Sequence, residues 1–392
     1  MSLTADRLAP AGLSSVSAAR ATGVVAARLE TRIVSGAEWD QAISDFDAVC
    51  QEQMHTFAAA RWPSVEQEPM LFLQNGEMVG GALVMLQGLP LNLGKIAVAK
   101  WAPMLRDVSR VDAAAIQAGM VEAMIADYAD RRGYMLSVLP RASITDTNHD
   151  YEQLIARGFK KGSVLGFPNR YIVNLRLSDE EQRKSFSQTW RRQLNKSEKA
   201  GLTFEHVPAE AVGDFDVLYN AMTDRKQFTD HSAYETVPAL MGIQVAALRP
   251  EVFYVRHEGV LVGGALIFKA GDRAVYLYGA TNDQALPLRA GYFMHWHIIR
   301  WLRDNTRATW YDLGGTDGFQ GLHQFKTGMV GTRGVIQPVP PVANYGSKPL
   351  AYLVGTGAFW ARDTYHRLRR AIDGLVNPKK RPTQARPGEA SE

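Results

Sequence analysis

The residues best suited to chemistry lie close together in the last third of this chain. Asp312 sits in a short apolar run, Trp310–Leu313; a glycine-rich loop, Gly314–Gly321, follows, and Phe325 and Lys326 stand just beyond it. A cation presented past such a loop can stabilise a developing oxyanion; the alternative is a surface lysine paired with a carboxylate. A carboxylate at a strand's end often points into a cleft in α/β proteins. There Asp312 could orient an amine or take its proton, or it could cap the following loop through Asx-type hydrogen bonds. Upstream, Arg192, Lys196 and Lys199 are spaced i, i+4, i+7 and share one helix face beside Trp190. That stripe suits phosphate contact, and equally a solvated face balanced by Glu198. His295 and His297 are two apart on a helical stretch and face different ways. With one cysteine, Cys50, there is no Cys/His cluster, so no metal site is expected. No G-x-S-x-G elbow, P-loop or G-x-G-x-x-G pattern occurs.

Composition narrows the class. At 392 residues the chain has room for two or three domains, and its 46% apolar and 21% charged residues match a globular protein with a large core. The longest apolar stretches, such as Val79–Leu86, are far too short to span a bilayer. A lone cysteine points to a reducing compartment, hence the cytoplasm. A net charge of +4 excludes a nucleic-acid-coating surface but accommodates phosphates, tRNA or an acidic membrane. Residues 1–30 read as a flexible leader, and the polar, proline-rich 377–392 as a disordered tail.

An internal repeat supplies the elements that must position these residues. Gly76–Leu83 (GEMVGGAL) recurs as Gly259–Leu266 (GVLVGGAL), identical at six of eight positions. In both copies a strand pattern leads into a tight turn and a second strand. Then come a third strand (Ile96–Val98; Ala274–Tyr278), a helix (Val111–Arg132; Gly291–Arg303) and an apolar run (Tyr134–Leu139; Trp310–Leu313). The paired glycines predict a bulge or a close backbone approach. Between the halves, Ser178–Gly201 reads as one helix, with Ser178 as its N-cap. Ser347–Leu375 predicts a C-terminal helix rich in arginine, packed on the second domain or lying on a membrane surface.

Three segments now carry a resemblance: WRRQLNKSEKAGL (Trp190–Leu202), VYLYGATN (Val275–Asn282) and YDLGGTDGFQGLHQFKTGMV (Tyr311–Val330). Together they resemble the Fem family of peptidoglycan-bridge aminoacyltransferases and its double-GNAT acyltransferase relatives, over about residues 45–345. The resemblance implies an α/β fold of two tandem GNAT domains, each with a mixed central sheet whose parted strands admit a ligand. It implies acyl transfer to an amine of an envelope precursor, with Lys326 at the reacting centre and Tyr278 as the strand tyrosine. Asp312, Gly314 and Gly315 belong to the same DLGG element. Around the acceptor it implies Trp62, His231, Tyr234 and Phe325. Arg192 and Lys196 would meet phosphate. Two departures stand out. No lysine follows Trp62, where relatives acting on soluble nucleotide precursors grip a diphosphate, and His231 replaces an arginine. A lipid-linked precursor or another amino sugar is therefore as good an acceptor.

The expected organisation is a leader (1–30), a first GNAT-like domain (31–165), a second carrying the motifs (166–345), a helix (346–376) and a tail (377–392). The expected function is transfer of an aminoacyl or acyl group to a primary amine of a peptidoglycan or envelope-glycan precursor. No cofactor is tightly bound, and aminoacyl-tRNA or acyl-CoA is the donor. The alternatives are an acyl-CoA N-acyltransferase acting on an exopolysaccharide or adhesin amino sugar, and a non-catalytic GNAT pair. The partial loop LPLRAGYF (Leu286–Phe293), with Arg289 and Gly291, motivates the first alternative. Expected partners are the nucleotide- or lipid-linked precursor, charged tRNA and a peripheral contact with the inner membrane.

Overall fold

A computed structural model describes residues 24–89, 93–226 and 233–376. The tail, most of the leader and His231 lie outside the described residues. In chain order the strands are β1 (Glu30–Ile33), β2 (Glu66–Gln74), β3 (Glu77–Gly88), β4 (Lys95–Lys100), β5 (Met104–Leu105), β6 (Met135–Leu139), β7 (Lys160–Lys161) and β8 (Asn169–Asn174). They continue as β9 (Leu202–Val207), β10 (Glu251–His257), β11 (Val260–Phe268), β12 (Arg273–Thr281), β13 (Trp310–Asp312), β14 (Val335–Pro338) and β15 (Ala343–Tyr345). They form two mixed sheets, ordered β1-β2-β3-β4-β6-β15-β7, with β5 beside β3, and β14-β8-β13-β12-β11-β10-β9.

The duplication seen in the sequence is a duplication of topology. Each half has an antiparallel run, one parallel pair (β4 with β6, β12 with β13), and a helix between the members of that pair. That helix is Ala113–Met124, extended by a π-helical turn, in the first half and Ala290–Asn305 in the second. The outer strands are exchanged. Ala343–Tyr345, from the end of the chain, is inserted between β6 and β7 of the first sheet, and β8, from the middle, lies between β13 and β14 of the second. A cut at residue 165 therefore does not separate the sheets, because β15 belongs to the first. The buried Ser137 hydroxyl donates to Asn344 Oδ1 at 2.7 Å and fixes that insertion.

The repeated glycines are bulge sites, as their sequence predicts. The register slips between Phe72 and Leu73 against β3, and between Val255 and Arg256 against β11, leaving Val79 and Val262 as the extra residues just ahead of each Gly-Gly pair. The pairs also permit close packing. A Cβ on Gly81 would lie 2.6 Å from the buried Trp39 ring, and one on Gly264 would lie 2.9 Å from Phe215.

Two expectations change. The end of the leader is held on the first half: Ala27 N–H donates to Ala115 O, and the alternating Ala27 and Leu29 pack on the first core. Ser178–Gly201 is two helices, Asp179–Ser185 and Gln188–Ser197, since Phe186 is extended (ψ 151°) and Ser187 is a second N-cap, accepting from Trp190 N–H. A cluster containing Trp39, Phe46, Leu71 and Leu83 of the first half with Leu240, Phe268 and Val275 of the second joins the halves. Among the described residues no helix is long and apolar enough to cross a membrane.

Gly81→Ala is expected to cost about 1–3 kcal/mol by forcing the Trp39 ring aside. Gly88→Ala, where nothing lies within 4 Å, should fall within about 0.5 kcal/mol of wild type. Urea unfolding of the two variants checks the contrast.

Candidate active site

The second half opens where the first is closed. β13 pairs with β12 only at Arg273–Trp310, Ala274–Tyr311 and Val275–Asp312; β12 then runs on to Thr281 alone, while the chain after Asp312 turns away. The two strands thus part, with Tyr276–Thr281 on one side and the loop that begins at Leu313 on the other. In the first half β4 and β6 end together at Lys100 and Leu139. Trp101, at φ +58°, then donates its N–H to Leu139 O, and the chain returns as β5 against β3, leaving only a hollow of about 110 Å³.

Lys326 builds the loop side of this gap. It lies on the helix Gln320–Val330 and is buried at 6% exposure. Its Nζ donates to Leu313 O at 2.5 Å and to Gly315 O at 2.6 Å. Two of three ammonium hydrogens thus hold the DLGG turn, and one remains. Gly314, at φ +77°, adopts a left-handed conformation that glycine tolerates best, with its missing Cβ aimed at Lys326 Nζ. Burial, and then the charge of Arg170, bring the Lys326 ammonium down to about 8. Phe325 does not line the gap: it packs 4.9 Å from Tyr292, 5.6 Å from His295 and 6.1 Å from Trp190, ring to ring.

Asp312 faces the first half. Arg170 Nε lies 3.1 and 3.2 Å from its two oxygens, and Gly314 N–H donates to Oδ1 at 2.9 Å. Of the two sequence readings of Asp312, these bonds are those of the loop cap. Burial alone would raise this carboxyl, but Arg170 and Arg273 outweigh burial and hold it below its ordinary value.

The tyrosine on Lys326's side is Tyr276, not Tyr278. A bulge between Leu266 and Ile267 leaves Leu277 outside the β11 ladder and turns the two tyrosines to opposite faces. Tyr276 packs 4.9 Å from the His295 ring, and a Cβ on Gly279 would collide with its hydroxyl. Tyr278 instead donates to Ala233 O at 2.9 Å and sits edge-on to Tyr234. Tyr234 stacks on Tyr219 at 3.7 Å and donates to Asp216. Trp62 is half-buried beneath Lys100 and packs on the apolar cluster that joins the halves. Among the sequence-selected residues, Asp312, Gly314, Gly315 and Lys326 meet at the DLGG turn, and Tyr234 and Tyr278 meet in a separate aromatic cluster. VYLY offers both tyrosines, and only the bulge decides between them. His295, its Nδ1 3.3 Å from Tyr311 Oη, is pulled down to about 3 by burial and then Lys326, so it stays neutral.

Arg192 and Lys196 lie exposed on the helix Gln188–Ser197 and, with Lys199, line a groove of about 580 Å³. Among the described residues no cluster of His, Cys, Asp and Glu could hold a metal ion.

Known proteins share this fold. A model of the acetyltransferase (GNAT) domain matches residues 184–327. The structure of FemX superposes with a TM-score of 0.63 at 18% identity, over 81% of this chain and 97% of FemX. A conserved protein of unknown function from Bacteroides thetaiotaomicron superposes with a TM-score of 0.53 at 11% identity, over 81% of this chain and 98% of its own. Doubled, mixed α/β GNAT-type domains thus define the class. Within that class the fold is the one FemX adopts. The lipid II:glycine glycyltransferases of Staphylococcus epidermidis and Staphylococcus aureus are 37% identical over 60 residues, which is 15% of this chain and 14% of theirs.

Asp312→Asn should destabilise the chain by about 3 kcal/mol, because it leaves Arg170 and Arg273 without their buried counter-charge. A carboxyl held low contributes fully above its unfolded pKa of about 3.9 and loses that contribution as pH falls through the lower folded value. Denaturant unfolding at stepped pH should therefore show the two proteins converging in acid.

Proposed function

We propose that the chain is an acyltransferase working at the gap between β12 and β13, and that it moves an aminoacyl or acyl group to a primary amine of a cell-envelope precursor in the cytoplasm. The observation that carries this reading is the buried Lys326 ammonium bound into the DLGG turn at the mouth of the only gap that parts a parallel pair among the described residues. The fold shared with FemX and the local similarity to lipid II:glycine glycyltransferases support the envelope acceptor.

The chemistry follows from the groups present. The acceptor amine attacks the carbonyl carbon of an ester or thioester donor; the C–N bond forms as the C–O or C–S bond breaks. The nitrogen's proton passes to the leaving oxygen or sulfur, directly or through water. The charge that appears on the carbonyl oxygen needs donors fixed in advance. The Lys326 ammonium, with one hydrogen left over from the DLGG turn, would be one such donor. Tyr276, kept protonated because burial raises its phenol, would be a second. The aromatic residues Trp62, Tyr234 and Tyr278 would receive the acceptor. The exposed Arg192 and Lys196 would meet phosphate of donor or acceptor.

The donor has a second reading. The match of residues 184–327 to a GNAT acetyltransferase domain favours acyl-CoA in place of aminoacyl-tRNA. Ribonuclease sensitivity of the transfer separates them: loss of activity identifies charged tRNA, and unchanged activity with acyl-CoA identifies the thioester.

Lys326→Ala should reduce turnover ~100- to 1000-fold, about 3–4 kcal/mol in the barrier. Lys326→Arg should also be poor, since a planar fork does not sit between two converging carbonyls. Full activity in Lys326→Ala would reduce Lys326 to a structural lysine. The wild-type rate should fall as pH rises through about 8, where the ammonium loses its proton. Because this lysine's folded pKa is lowered, the unfolded chain binds more protons between about 8 and 10.5, and its contribution to stability rises with pH there. Activity and thermal stability measured together across pH 7–10 should therefore diverge.

A further inference from the structure

On the first-half side of Asp312 lies a pocket whose wall includes Cys50, Gln51, Glu52 and Trp101, and into which three arginines converge: Arg141, Arg170 and Arg273. Its position is set by structure. Gln53, fully buried, donates to Leu83 O and Lys100 O and accepts from Leu83 N–H, which pins the Gln51–Gln53 turn against the junction. Val275 and Asp312, the last residues paired before β12 and β13 part, also line the pocket, so it adjoins the apex of the gap.

The cations there are unevenly partnered. Asp312 is committed to Arg170, and Glu52 lies 3.6 Å from Lys100. Arg141 donates to Ala48 O and stands 3.9 Å from Asp272. Arg273 has no carboxylate within ion-pair distance among the described residues, although it is only 7% exposed. One of its terminal nitrogens donates to Ala142 O at 2.9 Å, and its Nε–H has no partner. The indole N–H of Trp101 is likewise buried and unpartnered, as is Gln51 Oε1, where an amide flip would offer a further donor. Asp150 acts on Arg141 and Arg273 through space, with no ion pair to either among the described residues. Burial, and then the neighbouring Arg141, pull the Arg273 guanidinium down to about 10. An unpaired buried cation beside an orphaned N–H is costly unless something negative joins it. The space, about 20 Å³, admits one small group.

We propose that this pocket binds a small carboxylate-type anion, with Arg273 Nε–H and the Trp101 indole N–H as its donors. Resting on the transfer reading above, that carboxylate belongs to the acceptor, because the pocket meets the gap where the amine must arrive. A free small anion would use the same donors, and the two sources separate by experiment.

The test uses the full chain and ¹³C-labelled formate, followed by carboxylate line width at fixed ionic strength. Saturable broadening is expected. Arg273→Gln should weaken it at least tenfold, and Trp101→Phe, which keeps a ring and removes only the N–H donor, severalfold. If Arg273→Gln loses its native near-UV circular dichroism, Trp101→Phe carries the comparison. Absence of saturable broadening, or equal broadening in wild type and the folded variants, overturns the site. This readout needs no turnover, so it stands or falls apart from the proposed reaction. In a transfer assay, formate that raises KM for the acceptor without changing kcat assigns the site to the acceptor's carboxylate. Formate that binds yet leaves that KM unchanged overturns the assignment to the acceptor and leaves a free-anion site.

Discussion

The buried ammonium of Lys326, held between the carbonyls of Leu313 and Gly315, is the interaction on which the candidate site depends. Those carbonyls would otherwise seek a neighbouring strand. Bound to Lys326 instead, they turn the chain away after Asp312, and β12 is left to continue without its parallel partner. A charge-assisted bond to a backbone carbonyl is stronger than a neutral one, and two of them on one cation fix the direction of a loop that its glycines alone would leave free. The gap is therefore a consequence of where a single charge is buried.

The same principle orders the junction between the halves. Asp312 caps the turn and binds Arg170, Arg170 and Arg273 face the first half, and Arg141 and Glu52 come from that half to meet them. Arg170, Arg141 and Glu52 each have an opposite charge near them, as buried charges require, so the duplicated sheets are joined by a polar cluster as well as by the apolar contact through Trp39 and Val275. The exchange of β8 and β15 ties the halves covalently across that cluster. The two parallel pairs have diverged: β4 and β6 end together and the chain returns as β5, whereas β12 runs on past the end of β13.

Much of the fold was legible because it rests on local signals. The Gly-Gly pairs marked bulges, the strand and helix order of both halves followed from period and turn chemistry, and Ser178 announced its helix. What escaped was long-range. No local pattern says that Ala343–Tyr345 returns to the first sheet, and Ser187 as a second N-cap competes with an otherwise continuous helical stretch. At the site, position alone left Lys326 a surface lysine and Asp312 a loop cap as readily as functional groups; the resemblance of YDLGG…FK singled out the lysine. Tyr276 was not legible, because the choice between it and Tyr278 turns on a bulge at Leu277 that VYLYG does not disclose. Arg170 and Arg273 stand far apart in sequence and meet only through β8 and β12, so their cluster has no linear signature.

The central claim is that acyl donor enters the gap of the second half. Photo-crosslinking tests it most directly: a diazirine-bearing acyl donor, offered both as acyl-CoA and as aminoacyl-tRNA to the intact chain, is irradiated and the labelled peptides are mapped by mass spectrometry. The account predicts labels on Tyr276–Thr281 and on the Leu313–Lys326 segment, suppressed by excess unlabelled donor. Suppressible labels confined to the first half, around Trp101 and Arg141, would contradict it.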